Sequence, residues 1–368
     1  MRPSKTRILI LIKGLGIGGA EKLISEGARH WDTESFSYSV AYALPWKGEL
    51  VPDLESIGAD VRMIGGEKGL GTVFMSNLRG LLSEISPDIV HAHLPSMGIA
   101  ARLTSSIPVV YTEHNLAGSY RLPTRVANRL TYRRNKVVIA VSEAVADSVR
   151  PWFSGSLRVI PNGVSCHVND SDAESAKAEL GISDSSTRLI AHVGNIRPGK
   201  GHELLIEAVS LIIARRPDVM VVSIGGEKHK GDLERVRALA KAAGVDQQLM
   251  FLGRRPDALK FVAAADVFVN PSSIEGLPVA VLEAMSLGTP VVATSVGGVP
   301  TIVQDEATGL LVGTGDAEKI AEGVERLLAD RESAQRYANE AQNLIESEYG
   351  LGPMVHAVEG VYREVLDG

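Results

Sequence analysis

Two carboxylates, Glu275 and Glu283, stand eight residues apart in the stretch 266–284, DVFVNPSSIEGLPVAVLEA. The first falls in a loop broken by Pro271 and Gly276. The second falls about one turn into a helix that Pro278 can begin, because a proline at the first helical position forfeits no hydrogen bond. The leading N–H groups of such a helix, from Leu277 to Ala280, lack intrahelical partners, so the turn before them suits an anion or a sugar hydroxyl. A phosphorylated sugar offers both. Paired carboxylates also serve glycoside hydrolysis, one as acid and the other as nucleophile or base about 5–9.5 Å away. The spacing alone separates neither chemistry from the other, nor either from two solvated surface acids.

Two glycine loops add phosphate chemistry. Residues 14–19, GLGIGG, follow an apolar strand and precede Ala20–Glu21. They satisfy G-x-G-x-x-G, but Ser39–Leu44 offers no acid to hold a dinucleotide ribose. A tight strand-to-helix turn also accounts for these glycines. Residues 194–201, GNIRPGKG, fit G-x-x-x-x-G-K, yet Gly201 stands where an ATPase needs Ser or Thr on magnesium. Arg197 and Lys200 still suit two adjacent phosphates, the first as a bidentate fork and the second as a compact charge; the plainer alternative is two solvated loop cations. Histidines end two further strands: His91 and His93 after Asp88–Val90, and His114 after Val109–Thr112 and Glu113. The H-x-H pair has no third ligand at metal-binding spacing, and each histidine can equally be structural. Asp170–Ser171–Asp172 lies in a polar stretch and reads as solvated loop, so no metal site is expected.

The elements that must position these residues alternate. In the first half, strands at Arg7–Ile12, Phe36–Ala43, Asp60–Ile64, Asp88–Ala92, Val109–Thr112, Val137–Val141 and Leu157–Ile160 are separated by helical segments. A Ser/Asp/Glu/Ala-rich stretch, Asn169–Ser186, reads as a linker with a short helix. Strands at Leu189–Val193, Val219–Ile224, Leu249–Leu252, Val267–Val269, Val291–Ala293 and Leu310–Val312 then resume the pattern. Such alternation predicts two α/β halves, each a parallel sheet with helices on both faces. Ligands bind at the carboxyl ends of such strands, so the site is expected in a cleft between the halves. The final segment, Pro353–Leu366, carries Val355, Val358, Val361, Tyr362 and Val365 at helical spacing.

Composition narrows the class. A chain of 368 residues accommodates two domains, and 45% apolar with 22% charged residues is ordinary for a globular protein. The early apolar run Ile8–Ile12 is too short for a signal or a membrane span, so a cytoplasmic protein is expected. The single cysteine, Cys166, excludes an intrachain disulfide and a thiolate-rich metal site. The net charge of −6 hides an asymmetry: residues 1–165 carry 19 Lys+Arg against 14 Asp+Glu, and residues 166–368 carry 19 against 30. No domain has the strong basicity of a nucleic-acid binder, so no nucleic-acid partner is expected.

Taken in order, the glycine loop, D-I-V-H-A-H at 88–93, Glu113–His114, P-N-G-V at 161–164, the Gly194–Gly201 loop, the E-x7-E pair and Gly288–Val292 resemble the retaining glycosyltransferases of the GT-B fold, in particular the large family numbered four. The resemblance departs at Asn195–Ile196, which stand between the glycine and the arginine, and at Ser165, where the family usually has Asp. It implies an α/β GT-B fold of two Rossmann-like doubly wound domains facing across a cleft. Residues 1–165 with a returning helix 350–368 would bind the acceptor, and residues 166–349 the nucleotide-sugar. It implies catalytic roles for His114, Arg197, Lys200 and Glu275. Donor contacts would come from Gly18, Gly19, Gly194, Arg197, Lys200, Glu275, Gly276, Leu277, Pro278, Val279 and Glu283, with Glu283 on the ribose. Gly16 and His93 would lie on the acceptor side. No metal or other cofactor is implied; the donor would be UDP- or GDP-linked and the acceptor a saccharide or lipid-linked hydroxyl. An NDP-sugar 2-epimerase and a non-catalytic nucleotide-sugar binder remain open on the same fold.

Arg121, Arg125, Arg129 and Arg133 recur every four residues beside Leu122, Val126 and Leu130. If Pro123 begins a helix there, an arginine stripe flanks an apolar one, which suits peripheral contact with an anionic membrane at its inner face. The alternative is that the apolar row packs on the first sheet and the arginines are merely wet.

Overall fold

The structure is a computed structural model and describes residues 5–65, 71–184 and 186–367. The chain forms two compact units, residues 1–163 with 351–368, and residues 164–350.

Among the described residues the first unit holds seven parallel strands: β1 (Thr6–Ile12), β2 (Phe36–Tyr42), β3 (Asp60–Met63), β4 (Ile89–His93), β5 (Val109–Glu113), β6 (Val137–Ala140) and β7 (Ser156–Val159). Their order is β3-β2-β1-β4-β5-β6-β7, so the direction of winding reverses between β1 and β4. Ile8 to Ile12, Val90, Val110 and Val138 are almost wholly inaccessible, as the central strands of a sheet covered on both faces require. The helix Leu351–Asp367 belongs to this unit. Val361, Tyr362 and Val365 pack with Ile8, Ile10 and Phe36. Glu359, buried in the same helix, accepts from Tyr38 Oη at 2.7 Å and from the Asp32 N–H at 2.8 Å.

The second unit holds β8 (Arg188–Val193), β9 (Val219–Ile224), β10 (Leu249–Gly253), β11 (Val267–Asn270), β12 (Val291–Thr294) and β13 (Leu310–Val312), ordered β10-β9-β8-β11-β12-β13. Here the reversal lies between β8 and β11. The helix Ala317–Ala329 shows how its helices are specified. Asp316 caps it by accepting from the Lys319 N–H at 2.9 Å, and Ile320, Val324, Leu327 and Leu328 form the row that packs on the sheet.

Two local expectations need correction. Pro278 is not the first helical residue: it caps the helix Val279–Ser286 in an extended conformation. Asp170 and Asp172 lie in the first turn of the helix Asp170–Glu179 rather than in a loop, where their charges favour the helix N-terminus. The helix Pro95–Thr104 carries no strong apolar period; Gly98 faces Arg102 and Tyr111 so closely that no side chain fits.

Candidate active site

In the second unit the loops after β8 and β11 flank the reversal of winding, where open α/β sheets leave a crevice at their strand ends. The two loops are pinned together. The carbonyl of Gly199 accepts from the N–H groups of Ser273 and Ile274 at 3.0 and 3.4 Å. Gly201 caps the helix His202–Arg215 with φ of +71°, and a Cβ there would collide with the carbonyl of Pro271. This glycine therefore serves both a left-handed conformation and a close backbone approach.

Lys200 and Glu275 meet on this frame. The ammonium donates to both carboxylate oxygens, at 2.7 and 3.0 Å. Glu275 is only 6% exposed, so water screens the pair little. An acceptor held on both oxygens by a cation suits fixed recognition better than proton donation to a leaving group. Arg197, half-buried on the same loop, pairs with no carboxylate among the described residues. Glu283 sits one turn into Val279–Ser286 and is 7% exposed. Gly276, Leu277 and Pro278 are buried between the two carboxylates. The N–H of Gly298 donates to the Gly276 carbonyl at 2.8 Å, and Gly297, with φ of +53°, lets its backbone press on Glu275. Nothing singled out Gly297 in the sequence; the Gly297–Gly298–Val299–Pro300 turn was its only signal. Beneath Gly194, His192 stacks edge-on to His202 at 5.1 Å, and burial lowers their pKa values to about 3 and about 4.

In the first unit, the Gly14–Gly19 loop follows β1, His93 ends β4 and His114 follows β5; β1 and β4 flank the reversal of winding. Gly14, Gly16 and Gly18 all avoid the left-handed region, so a tight turn is not their reason. Close approach is the reason at Gly14, where a Cβ would press on the Cβ of Lys47; at Gly18 it would meet only the movable carboxylate end of Glu21. Lys13, half-buried at the end of β1, has its pKa lowered by burial and by the neighbouring charge of Lys47.

His93 Nδ1 and His114 Nε2 lie 3.0 Å apart, so one donates and the other accepts. His91 sits deeper, 2.6 Å from Tyr362 Oη and 2.7 Å from Thr112 Oγ1, and is a structural residue. Burial lowers the pKa of His114 to about 4 and that of His93 well below the ordinary value, so both are neutral imidazoles near pH 7. Glu113, next to His114, points to the opposite face of β5. It accepts from Tyr111 at 3.3 Å, Tyr132 at 3.5 Å and, closely, from Tyr120. Burial raises its pKa to about 7 against these hydrogen bonds. Among the described residues no group of three or more His, Cys, Asp or Glu is disposed to hold a metal ion.

The family model of glycosyl transferases group 1 matches residues 172–344, and that of glycosyltransferase family 4 matches residues 17–168. A D-inositol 3-phosphate glycosyltransferase from Corynebacterium glutamicum (strain R) is 30% identical over 333 residues, 81% of this chain and 79% of that protein. An alpha-D-kanosaminyltransferase from Streptomyces kanamyceticus is 28% identical over 302 residues, 75% of this chain and 77% of that protein. Among solved structures, Anabaena HepE in complex with UDP and glucose has a TM-score of 0.87 at 20% identity, over 98% of this chain and 100% of that one. This last likeness is one of fold, GT-B.

Proposed function

The chain belongs to the group 1 glycosyltransferases of family 4, and from that premise we propose that it transfers a sugar from a nucleoside-diphosphate sugar to an acceptor hydroxyl with retention of anomeric configuration. The observation that carries the donor site is the Lys200–Glu275 pair beside Arg197, on two loops flanking the reversal of the second sheet. In the proposed reaction the bond from the anomeric carbon to the β-phosphate oxygen breaks while the acceptor oxygen bonds to that carbon on the same face. The departing phosphate takes the acceptor proton. Arg197, Lys200, Gly194 and the backbone of Leu277–Val279 stabilise the diphosphate, Glu275 orients the sugar, and Glu283 receives the ribose hydroxyls. Arg197 and Lys200 offset the negative charge that develops on the leaving diphosphate, so the reaction is proposed to need no metal.

From the first unit, Gly18 and Gly19 are assigned to the donor. His114, held neutral, is assigned a hydrogen bond to the transferred sugar, and Gly16 and His93 the acceptor. Lys13 and Lys47 beside Gly14 favour an anionic acceptor, such as a phosphorylated polyol or a lipid-linked phosphate. Products of these kinds enter glycolipids and cell-envelope polysaccharides.

Incubation with UDP- and GDP-sugars, with and without saccharide, phosphorylated-polyol and lipid-phosphate acceptors, tests the proposal. Free NDP together with a new glycoside of donor configuration, undiminished by EDTA, is the expected result. An altered sugar on intact NDP identifies an epimerase, and binding without turnover a non-catalytic binder; either outcome overturns it. A hydrogen bond to a charged group is worth about 1.5–3 kcal/mol, so Glu283→Ala should weaken NDP binding by roughly ten- to a hundredfold. Calorimetry finding native affinity in the folded variant removes Glu283 from the site.

A further inference from the structure

The helix Leu122–Thr131 in the first unit is turned inside out. An amphipathic helix on a globular domain ordinarily directs its apolar stripe inward. Here Asn128 is fully buried, its Oδ1 accepting from Arg102 Nη2 at 2.6 Å, while Leu122, Val126 and Leu130 are 62%, 47% and 80% exposed. The three aliphatic side chains recur at i, i+4 and i+8 and so form one outward stripe. Each is preceded by an arginine: Arg121, Arg125 and Arg129, with Arg133 continuing the row. None of these four arginines joins an ion pair among the described residues. Residues 121–136 contain Arg134 and Lys136 as well and no acidic residue. No helix of the described residues is long and apolar enough to cross a membrane.

We propose that this face docks on an anionic lipid bilayer, with Leu122, Val126 and Leu130 entering the headgroup boundary and the arginines pairing with lipid phosphates. Charge complementarity selects the occupant. A second copy of the same face would oppose two unbroken rows of arginines. A nucleic acid would satisfy the arginines but leave the aliphatic stripe in water. An anionic bilayer satisfies both rows at once, since basic residues gain at its surface potential and apolar ones beneath it. The helix is held to the strand end that carries His114: Tyr120, two residues before Leu122, donates to Glu113 in β5. The docking does not depend on the transferase reading, and it is measured without substrate.

Sedimentation with phosphatidylcholine vesicles, with and without phosphatidylglycerol, tests it. The full-length protein is expected to sediment with the anionic vesicles only, and to be released as salt screens the surface. Each basic residue near such a surface changes partitioning by about fivefold, so Arg121→Glu with Arg129→Glu should lower it at least about a hundredfold. Leu122→Ser with Leu130→Ser should lower it about tenfold or more. In Leu130→Trp, emission should shift to the blue on anionic vesicles and be quenched by brominated lipid. Unchanged thermal unfolding of each variant separates these effects from misfolding. Three results would overturn the proposal: no wild-type binding at low salt, binding indifferent to the serine substitutions with no shift at Trp, which marks a merely polyanion-binding surface, or a dimer abolished by the serine substitutions without any vesicle binding.

Discussion

Lys200→Ala and Arg197→Ala are each expected to lower kcat by about two orders of magnitude or more, the usual cost of removing one preorganised donor from a developing oxyanion. Charge on the leaving diphosphate grows in the transition state, so these cations act on turnover more than on sugar binding. The two variants should differ in a second respect. Among the described residues Arg197 has no carboxylate partner, whereas removing Lys200 strands Glu275, almost buried and with both oxygens formerly paired. An uncompensated buried charge destabilises, so Lys200→Ala should also unfold more readily. Adding Glu275→Gln should restore its stability without restoring kcat. Single-turnover kinetics on the folded variants reads the first effect and urea denaturation the second. Near-native kcat in either single variant would remove that residue from the diphosphate site.

Glu113→Gln is expected to abolish a pH dependence of stability in the first unit. Burial raises the Glu113 carboxyl from 4.5 in the unfolded chain to about 7 in the fold. Between these values the unfolded state has released the proton and the folded state still holds it, so unfolding is increasingly favoured as pH rises. The stabilising contribution is complete below about pH 4.5, is lost progressively up to pH 7, and stays lost above. At 1.36 kcal/mol per unit this amounts to about 3 kcal/mol. Glutamine keeps an acceptor for the tyrosines and has no proton to lose. The stability difference between wild type and variant should therefore change by about 3 kcal/mol between pH 4.5 and pH 8. Trp31, Trp46 and Trp152 all lie in the first unit, so tryptophan fluorescence during urea titration reports the relevant transition. Parallel pH profiles for the two proteins would show that Glu113 is already ionised in the fold.

Strand periodicity and glycine punctuation carried most of the fold. Val219–Ile224 and Leu310–Val312 form strands with the expected bounds, because short, largely apolar runs rich in Val, Ile and Leu between turn residues admit few other readings. The helix Pro95–Thr104 was illegible because its packing relies on Gly98 and a buried Arg102, which signal nothing locally. The row Leu122, Val126 and Leu130 misled in a different way. Its period correctly specified a helix, and the plainer expectation had that row facing the sheet. Periodicity defines a stripe but not which way it points; the hydrogen bond from Arg102 to Asn128 decides that.

What the sequence by itself determined is the set of parts: Arg197 and Lys200 in a glycine loop after a strand, Glu275 and Glu283 across a loop-to-helix boundary, histidines at two strand ends. These follow from local backbone preferences and from the residue types that phosphates and hydroxyls require. Only the tertiary structure decided how the parts combine. The strand orders, which no local signal encodes, bring the loops after β8 and β11 to one reversal point and the loops after β1 and β4 to another. Lys200 and Glu275, 75 residues apart, become an ion pair because Gly201 and Gly297 have no Cβ to hold the backbones apart. The neutrality of His114 and the proton retained on Glu113 likewise come from burial, which depends on everything packed around them and on no residue alone.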